Sequence, residues 1–424
     1  MANDPETIDP CAALAPKLDT GFITYAVLLD GKKRVRGYRL AWRPASQHGE
    51  PSAIDNLKAL VSCIARNLND PKAGWRMGEL LILLDVTAEG LLLDEWQTDL
   101  PPKNFVLCMG LDELMDEGTR AMLLLLRAKG FGVMLRGAAS LPEDPEIRAI
   151  VTHVDVVDGH AELVASIQSP SLGAPAFQPI ATRMASWQDF GACAARRVDV
   201  LVDGRGALSL GAEAGVALQP EAMLIIRLMQ VIRRNEDVRV IEAALKHDPV
   251  LTYRLLRYIN SPGMGIGVEI KSIRHAVAMF GYSPLFRWLA LLLATSNKGS
   301  SAFMTRKAIK RGRFVELMGQ GTLPPDEADS LFVAGMFSLI DKLLGASLEE
   351  VLDKVQLSEA IQLAILKREG LYGPFITLAE CCEIDASEAA QLAESLFMSS
   401  EKVNAANLLA MAWTQNVNLA EMAD

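Results

Sequence analysis

The first half of the chain takes its fold from the stretch Asp30-Gly-Lys-Lys-Arg-Val-Arg-Gly-Tyr-Arg-Leu-Ala-Trp-Arg43. An Asp-Gly pair joins two arms with aromatic and β-branched residues, which is the pattern of a tight turn between antiparallel strands. Further along, apolar runs such as Leu80-Leu-Ile-Leu-Leu-Asp85 and Val198-Asp-Val-Leu-Val202 alternate with helical stretches such as 112–129. This alternation predicts a barrel-like α/β domain. Because a β/α barrel usually takes about 250 residues, we expect an incomplete or shortened barrel.

The second half is predicted to be all-helical. It contains Leu245-Lys-His-Asp-Pro-Val-Leu-Thr-Tyr-Arg-Leu-Leu-Arg-Tyr-Ile-Asn-Ser261, followed by Ile270-Lys-Ser-Ile-Arg-His-Ala-Val-Ala-Met-Phe-Gly281. Asp248 is a candidate N-cap with Pro249 at the first helical position, and apolar residues then recur at helical spacing. The sequence therefore predicts three segments: a tail at 1–20, the α/β domain at 21–208 and the helical domain at 209–424.

The motifs in both halves resemble known bacterial signalling domains. Gly37-Tyr38, followed by a short apolar run closed by Arg43, resembles the opening of EAL domains, the enzymes that cleave cyclic di-GMP. Lys129-Gly-Phe-Gly-Val-Met-Leu135 and Val151-Thr-His-Val-Asp155 resemble later strands of that family. The Asp248-Pro249 stretch and the run ending at Gly281 resemble the HDOD domain, a helical relative of HD phosphohydrolases. The order of the two halves resembles an EAL-HDOD signalling protein.

The resemblance also implies where metal ligands and their neighbours are expected, and most of those positions hold other residues. Only Asp155 remains as an acid of the family's set. The replaced positions in the first half are Arg39, Arg136, Gly137, His153, Thr182, Ala185 and Asp203. In the second half, Ser338 and Leu339 occupy the place of the His-Asp metal pair. Hydrolysis of a phosphodiester in these families needs divalent cations held by carboxylates, so the replacements predict that the chain is not an enzyme and binds no metal or cofactor.

Three functions are compatible with these residues. The favoured prediction is a non-enzymatic regulatory adaptor that acts by protein–protein interaction with other signalling proteins. The alternative is a cyclic di-GMP receptor without hydrolysis, because Arg39, Arg43 and Arg136 suit a phosphate better than a metal. An active phosphodiesterase with an unrecognised metal set is the third. Self-association as a homo-oligomer is left open.

A basic run contrasts with the overall charge of −10. Between Phe286 and Val315 there is no Asp or Glu, and the run includes Arg306, Lys307, Lys310 and Arg311. It predicts either a docking surface for an acidic partner or a solvated helix face. Few aromatic residues are interleaved with the cations, which disfavours nucleic acid.

Composition and the first residues of the chain restrict the kind of protein and its location. The longest apolar run, Trp288 to Ala294, is shorter than the roughly 20 residues of a membrane span. The first residues carry acids and no basic, apolar leader, so we expect a cytoplasmic protein. The six cysteines lack the spacing of a zinc site and are expected to be reduced thiols.

Overall fold

The computed structural model describes residues 20–45, 52–69, 77–97, 100–137, 139–156, 161–168, 177–183, 187–203, 218–246, 248–260, 268–297 and 302–416. Nearly all of the predicted tail, the predicted junction at 208/209, Ala185 and His247 lie outside these residues. The described residues form a β/α barrel followed by a helical part, as the sequence predicts.

The barrel is closed by eight strands. They are β1 Gly21–Leu29, β2 Val35–Pro44, β3 Leu81–Asp85, β4 Phe105–Gly110, β5 Gly132–Arg136, β6 His153–Asp155, β7 Gln178–Ala181 and β8 Asp199–Val202. β1 pairs antiparallel with both β2 and β8, and the other neighbours pair parallel. The barrel is shortened, as expected, in the segments that connect its first strands. The β1–β2 hairpin needs no crossover helix, and between β3 and β4 the described residues form three 3₁₀ helices, Glu89–Leu92, Asp94–Gln97 and Pro102–Asn104.

Helices cover the outside of the barrel. They are α1 Ala53–Leu68, α2 Leu111–Leu114, α3 Glu117–Lys129, α4 Pro145–Ile150, α5 Ala161–Gln168 and α6 Trp187–Ala195. Side chains of a strand alternate between the two faces of the sheet. One set therefore fills the barrel, namely Leu28, Leu83, Val106, Cys108, Met134, Ile180 and Leu201. The other set packs under the helices, as Ile82, Leu84 and Leu107 do.

The helical part is built around one large apolar core. Its helices are α7 Pro220–Arg233, α8 Val238–Lys246, α9 Pro249–Ile259, α10 Ile273–Phe280, α11 Tyr282–Thr295, α12 Ala302–Gly319, α13 Pro325–Phe337, α14 Ile340–Leu344, α15 Leu348–Val355, α16 Glu359–Lys367, α17 Gly373–Ile384, α18 Ala389–Ser395 and α19 Ser400–Asn416. Asp248 accepts a hydrogen bond from the Leu251 backbone N–H at 2.9 Å, which confirms it as the cap of α9. The apolar run from Trp288 to Ala294 lies in the core. None of the described helices combines the length and apolar character that a membrane crossing requires.

Two glycines let α12 and α13 approach closely. A Cβ at Gly312 would lie 2.8 Å from the Phe332 carbonyl oxygen, and one at Gly335 would lie 2.4 Å from Val315 Cγ2. Any side chain at these positions would therefore push the helices apart. The close pair positions α12, the helix that carries the basic run, against the barrel.

The two parts meet along β1. β8 pairs only with Val27 to Leu29, so the first residues of β1 have no strand on that side within the described chain. Asn404 of α19 replaces a strand there. Its side chain accepts a hydrogen bond from the Ile23 N–H at 2.8 Å and donates one to the Gly21 carbonyl at 2.8 Å. Asn407 donates to the Ile23 carbonyl at 3.2 Å. Since buried backbone groups must be paired, the helical part completes the barrel edge.

Candidate functional site at the barrel mouth

Five strands bring polar side chains to one mouth of the barrel. Arg39 lies on β2, and Asp85, Arg136 and Asp155 are the last residues of β3, β5 and β6. Thr182 follows directly after β7. Because alternate residues face the barrel interior, Asp85 and Arg136 lie above the inward-facing Leu83 and Met134. The carboxyl ends of parallel barrel strands are where barrel enzymes place their functional residues.

Arg39 and Arg136 converge on a single carboxylate. Arg39 Nε and Nη2 donate to Asp85 Oδ2 at 3.0 and 2.5 Å, and Arg136 Nη1 donates to Asp85 Oδ1 at 3.0 Å. All three side chains are about one-third exposed, with 33% for Arg39, 35% for Asp85 and 37% for Arg136. Burial alone would lower the pKa of Arg39, but the Asp85 charge raises it. Two guanidinium groups and one carboxylate leave this cluster with one net positive charge.

Asp155 is buried and held by neighbouring groups. Its Oδ1 accepts hydrogen bonds from Thr182 Oγ1 at 2.7 Å and from the Thr182 N–H at 3.3 Å. Its Oδ2 accepts from the Gly137 N–H at 3.3 Å. The residues at the replaced acid positions, Thr182 and Gly137, thus serve as donors to the remaining acid. Among the described residues, no group of three His, Cys, Asp or Glu side chains is placed to hold a metal ion.

His153 begins β6 and is buried near the same barrel wall. Its Nδ1 lies 2.8 Å from Thr152 Oγ1, while Nε2 has no hydrogen-bond partner within the described part of the chain. Burial lowers its pKa to about 4. The imidazole is therefore neutral at pH 7, unlike the Lys that the family resemblance implies at this position.

An open pocket adjoins the arginine cluster. It has a volume of about 240 Å³ and lies between the end of β2, the first turns of α1 and the end of β3. Asp85 and Arg136 line one side of it, and Trp42 and Asn56 line another. The paired charges therefore border a cavity that a ligand can enter.

Arg43 does not join the mouth cluster. Its Nε donates to the Asp385 carbonyl at 3.0 Å, in the turn between α17 and α18. In the described arrangement Arg43 therefore lies apart from Arg39 and Arg136 and joins the barrel to the helical part, and a ligand contact of Arg43 stays a prediction.

The basic run is buried, so it is neither of the two surfaces that the sequence predicts. Lys307, Lys310 and Arg311 are 8%, 3% and 2% exposed, and half-buried Arg306 donates to the Thr414 carbonyl at 3.1 Å. Lys310 donates to Asn407 Oδ1 at 2.7 Å and lies 3.9 Å from the centre of the Tyr25 ring. Its pKa is lowered to about 7 by burial. Lys310 thus joins the helical part to β1 through the Tyr25 ring, and the buried cations cannot dock a partner in this arrangement.

Acids from α17 neutralise the run. Arg311 donates to Glu383 through Nε at 3.0 Å and Nη2 at 2.7 Å, and Lys307 Nζ lies 3.2 Å from Glu383 Oε2. Burial would raise the pKa of Glu383, but Arg311 and Lys307 lower it to about 2. Arg311 Nη1 also donates to Ser338 Oγ at 2.8 Å. Ser338, at the position that the resemblance assigns to a metal ligand, thus belongs to this ionic network, and Leu339 is buried beside it.

Comparison with known proteins places the helical part in a family. Residues 218–366 match the family model of the HDOD domain. This segment is an HDOD domain. The N-terminal barrel is similar to the EAL domain of Mycobacterium smegmatis DcpA, with 13% identity, a TM-score of 0.33 and coverage of 43% of this chain and 90% of that one. The resemblance to an EAL-HDOD signalling protein is confirmed.

Two curated relatives share part of the chain. The cyclic di-GMP phosphodiesterase CdgJ of Vibrio cholerae is 29% identical over 206 residues, which is 47% of each chain. The uncharacterized protein YuxH of Bacillus subtilis is 24% identical over 195 residues, which is 45% of this chain and 47% of that one. The similarity thus spans about half the length of these curated relatives.

The similarity to CdgJ overturns the prediction that this chain is not an enzyme. The prediction considered only the acids at the metal-ligand positions that the family resemblance implies. It omitted Asp85, which the fold brings to the same mouth as Asp155. One sequence signal could have revealed Asp85: it ends a fully apolar strand, as residues at the mouth of a parallel barrel do.

Proposed function

We propose that the barrel mouth of this signalling protein binds cyclic di-GMP, with Arg39 and Arg136 contacting its phosphate. The convergence of the two guanidinium groups beside an open pocket carries the proposal. Arg presents its donors in a planar fork that matches a phosphate oxygen pair. The phosphodiesterase CdgJ, named for cyclic di-GMP, supports the choice of this dinucleotide.

The electrostatics of the mouth suit a phosphodiester. Asp85 holds both arginines in place but neutralises only one of their two charges. Asp155 accepts hydrogen bonds from Thr182 and Gly137, and its negative charge also acts on Arg39. We expect a phosphate to contact the two guanidinium groups directly, because Asp85 offsets only one of their two charges.

Titration calorimetry of the intact chain with cyclic di-GMP, in Mg²⁺ or Mn²⁺, tests this proposal. Arg136→Ala is expected to weaken binding by about 10- to 100-fold, the effect of removing a charge-assisted hydrogen bond. Arg34→Ala is the matched control, because Arg34 lies in the β1–β2 turn at the other end of β2. Equal weakening by both variants, or no heat from the wild-type chain, would contradict the proposal. Chromatography of the recovered nucleotide then distinguishes retention from cleavage.

A second candidate function is protein docking through the helical part. Phe397, after α18, is 99% exposed and has a φ of 53°. A bulky residue rarely adopts this left-handed conformation, and exposed aromatic rings are frequent anchors of protein interfaces. We infer that this ring contacts another protein, of which a second copy of the chain is the simplest to test.

Phe397→Asn separates the docking role of the ring from its backbone strain. Asn tolerates the left-handed conformation, so the variant is expected to gain about 1 kcal/mol of stability. At the same time, its self-association in analytical ultracentrifugation is expected to fall. A wild-type chain that stays monomeric at every concentration tested would contradict docking to a second copy.

A further inference from the structure

One face of α3 carries apolar side chains that no other part of the described chain covers. Leu124 and Leu125 are 49% and 62% exposed, and Ala121 and Ala128 are exposed with them. Their positions follow the i, i+3, i+4, i+7 spacing that places residues on one side of a helix. We call Ala121, Leu124, Leu125 and Ala128 the α3 stripe.

The α3 stripe is not needed to pack α3 onto its own barrel. Leu123 and Leu126, on another side of the helix, are buried in the same core as the outward-facing residues of the strands. The stripe instead extends over two turns of a helix on the outside of the barrel. Contiguous apolar surface of this kind on a folded protein marks a site of interaction with another molecule.

The charges at the ends of α3 indicate what covers the stripe. The first turn of the helix holds Glu117, and exposed Asp112 and Asp116 precede it. The last turn holds Arg127 and Lys129. A second α3 that runs antiparallel to the first brings the acidic end of each helix to the basic end of the other, which is a complementary arrangement. A parallel pair would bring like charges together.

The sizes of the stripe residues fit the same antiparallel pair. In a two-fold arrangement centred near position 123, Ala121 of each copy faces Leu125 of the other copy. The small Ala side chain leaves room for the larger Leu side chain, so facing positions alternate in size as they do in a packed core. Size and charge therefore both indicate that the stripe is complementary to itself.

We propose that two copies of this chain pair through the α3 stripe, with their α3 helices antiparallel about a two-fold axis. The sequence left self-association open, and this surface assigns it to one helix. The proposal is independent of nucleotide binding at the barrel mouth. The stripe lies on the barrel, whereas Phe397 lies on the helical part.

Sedimentation equilibrium of the full chain tests the pairing. The wild type is expected to form a dimer, and Leu125→Glu is expected to weaken it by about 100-fold, because the symmetry places two charges in one apolar interface. Since Leu125 is exposed in the single chain, the variant is expected to keep the wild-type circular dichroism spectrum. Leu366→Glu is the matched control, because Leu366 is 44% exposed on α16 of the helical part, and this variant is expected to dimerise as wild type.

Charge reversal tests the direction of the two helices. At low salt Glu117→Lys is expected to weaken the dimer about threefold, the size of a surface charge effect that occurs twice in a symmetric pair. Adding Lys129→Glu to the same chain is expected to restore the wild-type affinity. A role of Glu117 in α3 alone would not produce this recovery, because an acid in the last turn is itself unfavourable for a helix.

Three outcomes would overturn the proposal. The first is a wild-type chain that stays monomeric at every concentration tested. The second is self-association that falls in Phe397→Asn but not in Leu125→Glu, which would assign the contact to Phe397. The third is a double variant, Glu117→Lys with Lys129→Glu, that does not regain affinity, which would exclude the antiparallel pair.

Discussion

Replacing Glu383 with Gln is expected to lower the free energy of unfolding by about 3–5 kcal/mol, the cost of leaving a buried charge unpaired. Glu383 and Arg311 are each 2% exposed and share two hydrogen bonds, and Lys307 lies against the same carboxylate. Gln keeps the size of the side chain but removes the negative charge. Arg311 and Lys307 would then remain buried with insufficient compensation.

Glu380→Gln is the matched control for this prediction. Glu380 also accepts a hydrogen bond from Arg311, at 2.8 Å, but its side chain is 27% exposed and it shares Arg368. Solvent screens such a pair, so we expect a loss of about 1 kcal/mol. Chemical denaturation followed by circular dichroism measures both variants. Equal losses from the two variants would show that the burial of the Glu383–Arg311 pair does not determine its contribution to stability.

The pH dependence of the same pair gives an independent check. Because the folded pKa of Glu383 is lowered to about 2, its contribution to stability is present above the unfolded value near 4.5 and is lost as the pH falls toward 2. Glu383→Gln is expected to remove that part of the acid sensitivity. The difference in the free energy of unfolding between wild type and Glu383→Gln is thus expected to be smaller at pH 3 than at pH 7.

Local patterns predict several of the strands, and the two arginines of the mouth cluster were among the predicted site residues. Alternation and an Asp-Gly turn predict β1 and β2, and apolar runs predict β3 and β8 close to their observed bounds. Arg136 ends β5, whereas Arg39 lies midway along β2, opposite Leu83, and its long side chain reaches Asp85. Closure of the barrel was not predicted. The short length of this segment indicates that something is missing from a full β/α barrel, but it does not reveal that all eight strands are kept and that only the segments between strands are shortened.

The basic run was misjudged because its partners are distant in sequence. Glu383 lies 72 residues after Arg311, and Asn407 lies 97 residues after Lys310. The absence of acids within the run therefore indicated an unpaired surface, although the fold supplies the acids from α17. One local signal was present: apolar residues occur on every side of α12, as Phe303, Met304 and Ile309 show. A helix that is apolar all round is a buried helix.

A second large effect on the free energy of unfolding is expected at acidic pH, because His153 is buried. Burial lowers its folded pKa to about 4, whereas the unfolded chain titrates near 6.5. Between these values the unfolded state binds a proton that the folded state does not, so stability falls as the pH decreases from 6.5 to 4. At 1.36 kcal/mol for each pKa unit, the loss reaches about 3 kcal/mol at pH 4.

His153→Leu removes this contribution, so the stability of the variant relative to wild type is expected to rise by about 3 kcal/mol as the pH falls from 6.5 to 4, as measured by urea denaturation at fixed pH values. Burial raises the pKa of Asp199 to about 6, which acts in the opposite direction over this range in both chains. His275→Gln, in α10 of the HDOD domain, is measured alongside as a second histidine variant. The pH range from 6.5 to 4.5 distinguishes the effect of His153 from that of Glu383, because the Glu383 carboxylate lowers stability only below about pH 4.5. A His153→Leu chain with the wild-type slope would mean that the imidazole is protonated within the fold.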